Sequence, residues 1–181
     1  MTENVRSVGI GEIVASDAPD DVLVAYGLGS CVAICLHDPV ARVGGMLHAL
    51  LPAVPNGNLN VGNPVKFVDL GTPLLLKALL ELGARRTRLV AQLCGGAQAL
   101  LAPGFEDDDL LSIGERNVIA AETALRAAGL GIRTQATGGR IGRTVRLYIA
   151  DGQVAVKSLG QDVQVMVLVP DVKPKARNIA T

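Results

Sequence analysis

The order of the apolar segments constrains this chain more than any other feature. Short runs rich in valine, leucine and isoleucine, of the length of buried strands, fill the first 51 residues and return after residue 129. Between the two groups lie two segments with helical spacing, which enclose one more strand-like run over 88–94. The order β-β-β-β-α-β-α-β-β-β-β does not fit a regular βαβ alternation. It predicts a mixed α/β layered sandwich of mainly antiparallel or mixed sheet with two main helices.

The predicted strands end at turn residues. Gly27-Leu28-Gly29-Ser30 and Asp38-Pro39 separate three of them, and Asp151-Gly152 indicates a hairpin. The strands are predicted over 5–14, 22–25, 31–36, 43–51, 88–94, 132–136, 145–149, 154–156 and 163–169.

The two helical segments carry start and stop signals. The first follows Asn63-Pro64, an N-cap with a first-turn proline, and extends to residue 82. Pro73 interrupts it, so either the helix kinks there or a second helix starts at that point. The second segment opens with a capping box from Ser112 to Glu115 and extends to residue 128.

Composition narrows the classes of function. The 181 residues suit one domain, which we place at 1–170, followed by a basic tail over 171–181. The 17 basic residues balance the 17 acidic ones, so no strong field favours nucleic acid or a membrane surface. Aromatic residues make up only 2%, which argues against base-stacking nucleic-acid binders. Without a signal-like start or a run of membrane-spanning length, we expect a cytoplasmic protein.

The three cysteines cannot all pair, so at least one thiol is free. Cys35 and Cys94 lie in apolar strands and are expected to be buried structural residues. Cys31 follows Gly29-Ser30 at a junction of turn and strand, where a thiol can be exposed and turn amides can hold an oxyanion. These residues alone leave two interpretations of Cys31 open, a nucleophile or a small buried side chain.

A cysteine nucleophile needs a base, and the chain has two histidines. His37 would lie ~20 Å from Cys31 along one strand, too far for proton transfer. His48 is on the next predicted strand, and a turn centred on residues 39–40 would put it opposite Cys31. A core histidine with satisfied hydrogen bonds is the alternative for His48 that spacing leaves open.

Two other kinds of site find less support. A zinc site has no CxxC pair, and too few ligands would reach one point, so no zinc site is expected. The glycine-rich segment over 138–143 lies between strands and opens no helix, so it does not fit a phosphate cradle. We predict instead a connection with two exposed arginines, Arg140 and Arg143. For the zinc site considered first, the candidate ligands are Cys31, Cys35, His37 and His48.

Several short motifs, each weak alone, are specific together. They are Gly27-Leu28-Gly29-Ser30-Cys31-Val32-Ala33-Ile34-Cys35-Leu36, Asp38-Pro39, Gly44-Gly45-Met46-Leu47-His48, Leu51-Pro52, Lys66-Phe67-Val68-Asp69, Gly95-Gly96-Ala97, Ile113-Gly114-Glu115-Arg116-Asn117, and Gly138-Gly139 with Gly142-Arg143. In this combination the sequence resembles CheD, the chemoreceptor glutamine deamidase family of bacterial and archaeal chemotaxis. The resemblance covers roughly residues 8–158.

The resemblance implies a layered α/β fold akin to toxin-type cysteine deamidases, and a cysteine–histidine hydrolase that needs no cofactor. By position, Cys31 would be the nucleophile and His48 its base, in a protein-glutamine glutaminase that converts receptor glutamines to glutamates and releases ammonia. The same site could cleave a glutamate methyl ester. The partners implied are the cytoplasmic domains of chemoreceptors, as substrate, and a CheC-type phosphatase.

One position departs from the family pattern. The third catalytic residue of the family is a threonine, and the matching residue, six before Cys31, is Ala25, which has no hydroxyl to orient His48. The alternative function is therefore a weakly active or inactive CheD-like protein that regulates a CheC-type phosphatase by binding.

Overall fold

The computed structural model describes residues 3–57, 60–98, 108–158, 160 and 162–166. Strands and helices follow one another along this part of the chain in the predicted order, with one additional strand near the start. The elements are β1 (Asn4–Ser7), β2 (Glu12–Ser16), β3 (Asp21–Leu28), β4 (Val32–Asp38), β5 (Val43–Ala49), α1 (Val68–Glu81), β6 (Val90–Gly95), α2 (Asp108–Ala127), β7 (Ile132–Thr137), β8 (Arg143–Tyr148), β9 (Val154–Ser158) and β10 (Gln164–Met166).

The strands form two five-stranded sheets of mixed direction. Sheet 1 has the order β1-β3-β8-β9-β10, and sheet 2 has the order β2-β5-β4-β6-β7. The pairs β1–β3 and β6–β7 are parallel, whereas the pairs around the central strand β4 are antiparallel. The mixed α/β class with two main helices, predicted from the order of apolar segments, is confirmed.

Two apolar layers lie on either side of sheet 2. Alternate side chains of β4 point in opposite directions, so Val32 and Ile34 pack with residues of α1 and α2, whereas Ala33 and Cys35 pack between the sheets. Every residue of β4 is therefore buried. We call the layer between the sheets, which also holds Met46, the inter-sheet layer.

The predicted first strand, over 5–14, is two strands in different sheets. A turn separates them, in which the Glu12 amide donates to the Gly9 carbonyl at 3.1 Å and Gly11 has a φ of 73°. A Cβ at Gly11 would also come within 2.7 Å of the Lys66 side chain. The valine and isoleucine content correctly indicated extended chain, but it did not show that the chain changes sheets at this turn.

The helix starts differ from the predicted ones. Asn63 caps a short 3₁₀ turn over Pro64–Lys66, accepting from the Val65 amide at 3.0 Å, and α1 begins only at Val68. Pro73 lies inside α1, so of the two alternatives left open there, a second helix starting at Pro73 is wrong and one continuous helix is correct. The helix α2 begins four residues before Ser112, so the predicted capping box is not its N-terminus.

At the other end of the chain, β10 covers part of the strand predicted over 163–169. Residues 167–169 and the predicted tail over 171–181 lie outside the described residues. The boundary of a domain at residue 170 therefore stays a prediction. In the part of the chain that the structure describes, no helix is long and apolar enough to span a bilayer.

Asp38, at the end of β4, holds the β4–β5 turn to the segment after α1. Its carboxylate is fully buried and accepts hydrogen bonds from the Arg88 side chain, at 2.7 Å for Nη2, and from the amides of Val40, Ala41 and Arg85. Burial alone would raise the pKa of Asp38, but these donors outweigh it and lower the pKa to about 2.

The Asp38 network predicts a stability change at acid pH. Because its folded pKa lies below the ordinary value of 3.8, Asp38 stabilises the fold above pH 3.8 and loses this effect as the pH falls through about 2. We expect Asp38→Asn to lower the free energy of unfolding by about 2 kcal/mol at pH 7, with the difference from the wild type shrinking toward pH 2. Urea unfolding at both pH values measures this.

A matched control for Asp38 is Glu81→Gln, which removes an exposed ion pair with Lys77 of 3.8 Å. Exposed pairs of this kind contribute little, so the change should be within about 0.5 kcal/mol. If the free energies of unfolding of the wild type and Asp38→Asn differed by the same amount at pH 7 and near pH 2, the lowered pKa of Asp38 would not be the cause of the stability difference.

Candidate active site

Cys31 lies directly before β4, and its backbone is fixed by the end of β6. The Gly96 amide donates to the Cys31 carbonyl at 2.7 Å, and the Ala97 amide donates to the Gly29 carbonyl at 2.8 Å. The Cys31 side chain is only 7% exposed, so the exposed thiol suggested by the turn is wrong. The two backbone hydrogen bonds hold the turn against the sheet, and the Cys31 thiol is buried.

The pairing of β4 with β5 differs from the predicted register. His48 is opposite Ala33, not opposite Cys31, because the turn is centred on residues 40–41. Side chains of paired residues share a face, so His48 lies on the inter-sheet face with Ala33. Cys31 is two positions before Ala33, and continued alternation puts it on that face as a diagonal neighbour of His48. Diagonal neighbours are typically about 7–8 Å apart, a distance that side chains can bridge.

The hydrogen bond of His48 defines which ring nitrogen carries the proton. Nδ1 lies 3.0 Å from the Val8 carbonyl, which can only accept, so the neutral ring is protonated at Nδ1. Nε2 therefore has the free lone pair. Nε2 is buried, and among the described residues it has no hydrogen-bond partner. Within the described residues, one of the two ring nitrogens of His48 has a hydrogen-bond partner and the other has none.

Burial shifts both proposed catalytic groups toward their neutral forms. Burial raises the pKa of the Cys31 thiol, although a hydrogen bond from its own backbone amide lowers it in part. Burial lowers the pKa of His48, although the Val8 carbonyl and the Glu12 carboxylate oppose this. At neutral pH the site holds a thiol and an unprotonated imidazole, which suits a base that removes the thiol proton during attack.

Asn117 on α2 joins the two strands that carry Cys31 and His48. Its Nδ2 donates to the Ser30 carbonyl and to the Leu50 carbonyl, both at 2.9 Å, and the side chain is fully buried. The motif around Asn117 was recognised from the sequence, but nothing in its spacing showed that this amide holds the turn before the cysteine. Val8 and Glu12 were likewise not predicted to contact His48.

Glycine allows α2 to approach this turn closely. A Cβ at Gly114 would lie 2.8 Å from the carbonyl oxygens of both Gly96 and Ala97, too close for any side chain. Gly96 and Ala97 are the residues whose amides bind the backbone of the cysteine turn. The start of α2 therefore supports the segment that positions Cys31.

The structure also places the two other cysteines, the second histidine and the two arginines that were predicted to be exposed. Cys35 and Cys94 are buried, as predicted, and burial raises the pKa of both thiols, to about 12 for Cys94. His37 is at the far end of β4, with Nε2 3.0 Å from the Ile149 carbonyl. Arg140 is exposed, but the prediction of an exposed Arg143 is wrong. Arg143 is buried and donates to the carbonyls of residues 136 and 138, closing the glycine-rich connection.

The donors needed for a metal site do not converge. Among the residues that the structure describes, no group of three or more histidine, cysteine, aspartate or glutamate side chains could hold an ion.

The family model described as CheD chemotactic sensory transduction matches residues 50–158. A protein of Symbiobacterium thermophilum, named "Probable chemoreceptor glutamine deamidase CheD", is 41% identical over 157 residues, which is 87% of this chain and 94% of the relative. The chain belongs to the CheD family. A CheD of the same printed name from Pyrococcus abyssi is 44% identical over 159 residues, 88% of this chain and 94% of the relative.

Membership of the CheD family makes Ala25 the position that needs explanation. Ala25 is fully buried in β3, opposite Val145, and its methyl group packs in the inter-sheet layer. It offers no hydroxyl to a histidine. In this CheD chain the group that orients His48 is the backbone carbonyl of Val8.

Proposed function

We propose that this protein deamidates glutamine side chains of chemoreceptors, with Cys31 as the nucleophile and His48 as the base. The observation that carries the proposal is Nε2 of His48, a buried, unprotonated nitrogen on the face that we assign to Cys31, with no hydrogen-bond partner in the part of the chain that the structure describes. A buried polar atom left unpaired is costly and needs an explanation. Nδ1 of His37 is unpaired in the same way, so the position of His48 on the face assigned to Cys31 is what distinguishes it. The printed names of the relatives supply the substrate class, chemoreceptor glutamine.

The first half of the reaction forms a thioester. His48 Nε2 removes the proton of the Cys31 thiol as Sγ attacks Cδ of the glutamine side chain. The negative charge moves to the amide oxygen, and we assign the Cys31 backbone amide as a donor that stabilises it. The imidazolium then protonates the leaving nitrogen, the C–N bond breaks and ammonia departs.

The second half restores the enzyme. His48 removes a proton from water, the hydroxide attacks the thioester carbon, and the C–S bond breaks to release glutamate. The proton returns to Cys31. The sum of both halves is hydrolysis of one carboxamide by one water, so no redox partner is needed. A glutamate methyl ester would follow the same steps with methanol as the leaving group, and we include this second reaction in the proposal.

The experiment that tests this function is intact-mass analysis of a receptor cytoplasmic fragment incubated with the protein. Each deamidation adds about one dalton, because an NH₂ group is replaced by OH. A fragment carrying glutamate methyl esters in a parallel reaction tests the esterase activity. A receptor fragment whose mass stays constant at high enzyme concentration would contradict the proposed function.

A regulatory binding role is the second candidate, and Ala25 is the observation that favours it. A chain without the family threonine could act chiefly by binding a CheC-type phosphatase. The two candidates separate in one comparison, because a binding protein would retain the phosphatase on a column and leave receptor glutamines unchanged. A catalyst modifies them in the absence of any phosphatase.

The proposed chemistry requires a reducing compartment, and we therefore place the protein in the cytoplasm. Oxidation of Cys31 to a sulfenic acid or a disulfide would remove the nucleophile. The chain also holds two further thiols that would be kept reduced there.

The remaining cysteines provide a prediction within the same proposal. Cys35→Ala and Cys94→Ala should each keep the deamidation rate within about twofold and lower stability by ~1 kcal/mol, because both thiols are buried and protonated. Mass analysis of the receptor fragment and urea unfolding measure the two effects. A folded Cys35→Ala or Cys94→Ala variant without activity would show that the nucleophile has been assigned to the wrong cysteine.

A further inference from the structure

The turn between β1 and β2, residues Val8 to Glu12, holds His48 by both its side chain and its backbone. Nδ1 of His48 donates to the Val8 carbonyl at 3.0 Å, and the Gly11 amide donates to the His48 carbonyl at 2.8 Å. Val8 itself is buried and is fixed to β3 by a hydrogen bond of 2.8 Å from its amide to the Val24 carbonyl. The orientation of the imidazole therefore depends on the shape of this Val8–Glu12 turn.

The Glu12 side chain binds the peptide group whose carbonyl accepts the hydrogen bond from His48. Its Oε2 accepts from the Gly9 amide at 2.7 Å. The Gly9 amide and the Val8 carbonyl belong to the same peptide group, so the carboxylate binds one end of it and the imidazole binds the other. The two hydrogen bonds form a continuous path from Glu12 through the Val8–Gly9 peptide to Nδ1 of His48.

This path has an electrostatic consequence. A charged acceptor on the N–H polarises the peptide group and makes its carbonyl a stronger acceptor for the proton on Nδ1. That favours the Nδ1-protonated ring, and it stabilises the imidazolium that forms when His48 takes the thiol proton. Glu12 is also the direct cross-strand partner of His48, which brings its charge to the same side of the sheet.

We infer that Glu12 is a positioning residue for His48, acting through the Val8–Gly9 peptide group. Glu12 orients His48 in place of the hydroxyl group that Ala25 does not have. This inference rests on the proposed function, because it concerns the base of the Cys31–His48 pair. Glu12 does not contact the reacting atoms and acts only through the peptide group and His48.

The test compares Glu12→Ala with Glu12→Gln in the full chain. Alanine removes both the acceptor and the charge, whereas glutamine keeps an acceptor for the Gly9 amide and removes the charge. We expect kcat for receptor deamidation to fall at least about tenfold in Glu12→Ala, with KM within about twofold. Glu12→Gln should recover part of that loss. Glu81→Ala, at an exposed position on α1, is the control and should leave kcat unchanged.

A spectroscopic measurement separates positioning from a general loss of structure. The ¹⁵N shifts of the His48 ring should report the Nδ1-protonated tautomer in the wild type and a mixture of tautomers in Glu12→Ala. If Glu12→Ala does not fold, Glu12→Gln carries the test, with a lower kcat and shifted His48 ¹⁵N signals expected. Unchanged kcat and unchanged His48 signals in the folded variants would overturn the inference.

The outcomes also distinguish this inference from the proposed function. Full activity of Cys31→Ala would overturn the proposed function itself. An inactive Cys31→Ala together with a fully active Glu12→Ala would overturn only the role of Glu12.

Discussion

Replacing Cys31 by alanine is expected to abolish ammonia release from receptor glutamines, with a rate at least about a thousandfold below that of the wild type. The variant has no atom to form the thioester, so neither half of the reaction can proceed through the enzyme. A coupled ammonia assay with a receptor cytoplasmic fragment measures the rate.

The control for this loss is the fold of the variant. Cys31 is a small side chain, and the hydrogen bond from the Gly96 amide to its carbonyl does not depend on the thiol. Cys31→Ala should therefore unfold in urea close to the wild type, and Cys35→Ala, a substitution of the same size in the same strand region, should stay active. Substantial activity of Cys31→Ala would mean that another group is the nucleophile.

The second large effect is expected for His48→Asn. Asparagine places an N–H close to the position of Nδ1, so the hydrogen bond to the Val8 carbonyl can persist while the base at Nε2 is lost. We expect deamidation to fall at least about a thousandfold, because a buried thiol with a raised pKa does not ionise without a base. Alkylation of Cys31 by iodoacetamide at neutral pH should slow as well.

His37→Asn is the matched control, because His37 is the other buried histidine and contacts the Ile149 carbonyl at the far end of β4. It should lower stability while the folded fraction stays active. Retention of most activity in His48→Asn, or an equal loss in folded His37→Asn, would contradict the assignment of the base.

The architecture could be predicted because it follows from patterns within short segments. Apolar runs such as Val32–Leu36 must be buried on both faces, and helical spacing over 68–81 must cover a sheet. The division of the first predicted strand could not be seen in this way. Both halves have strand-like composition, and only the pairing of β1 with β3 and of β2 with β5 separates them.

The register of β4 and β5 shows why the spacing predicted the correct face for His48 but the wrong partner. The Asp38-Pro39 motif predicts a turn centred on residues 39–40, but Asp38 pairs with Val43 and the turn includes Arg42 with a φ of 55°. Asp38 stabilises this longer turn by accepting from the amides of Val40 and Ala41. Moving the centre by one residue changes the partner of each residue by two, so His48 keeps its face and moves diagonally from Cys31.

The groups that orient the site could not be predicted because they act through the backbone. The Val8 carbonyl, the Gly9 amide and the Ser30 and Leu50 carbonyls bound by Asn117 have no side-chain signature. A carbonyl is present at every residue, so only the folded arrangement shows which ones are used.

The most direct test of the account follows single glutamines of one receptor fragment by peptide mass analysis, with wild type and Cys31→Ala in parallel reactions. We predict that the wild type raises the mass of particular glutamine-containing peptides by about one dalton each and that Cys31→Ala changes none of them. Equal conversion by the two proteins, or no conversion by a folded wild type, would contradict the account.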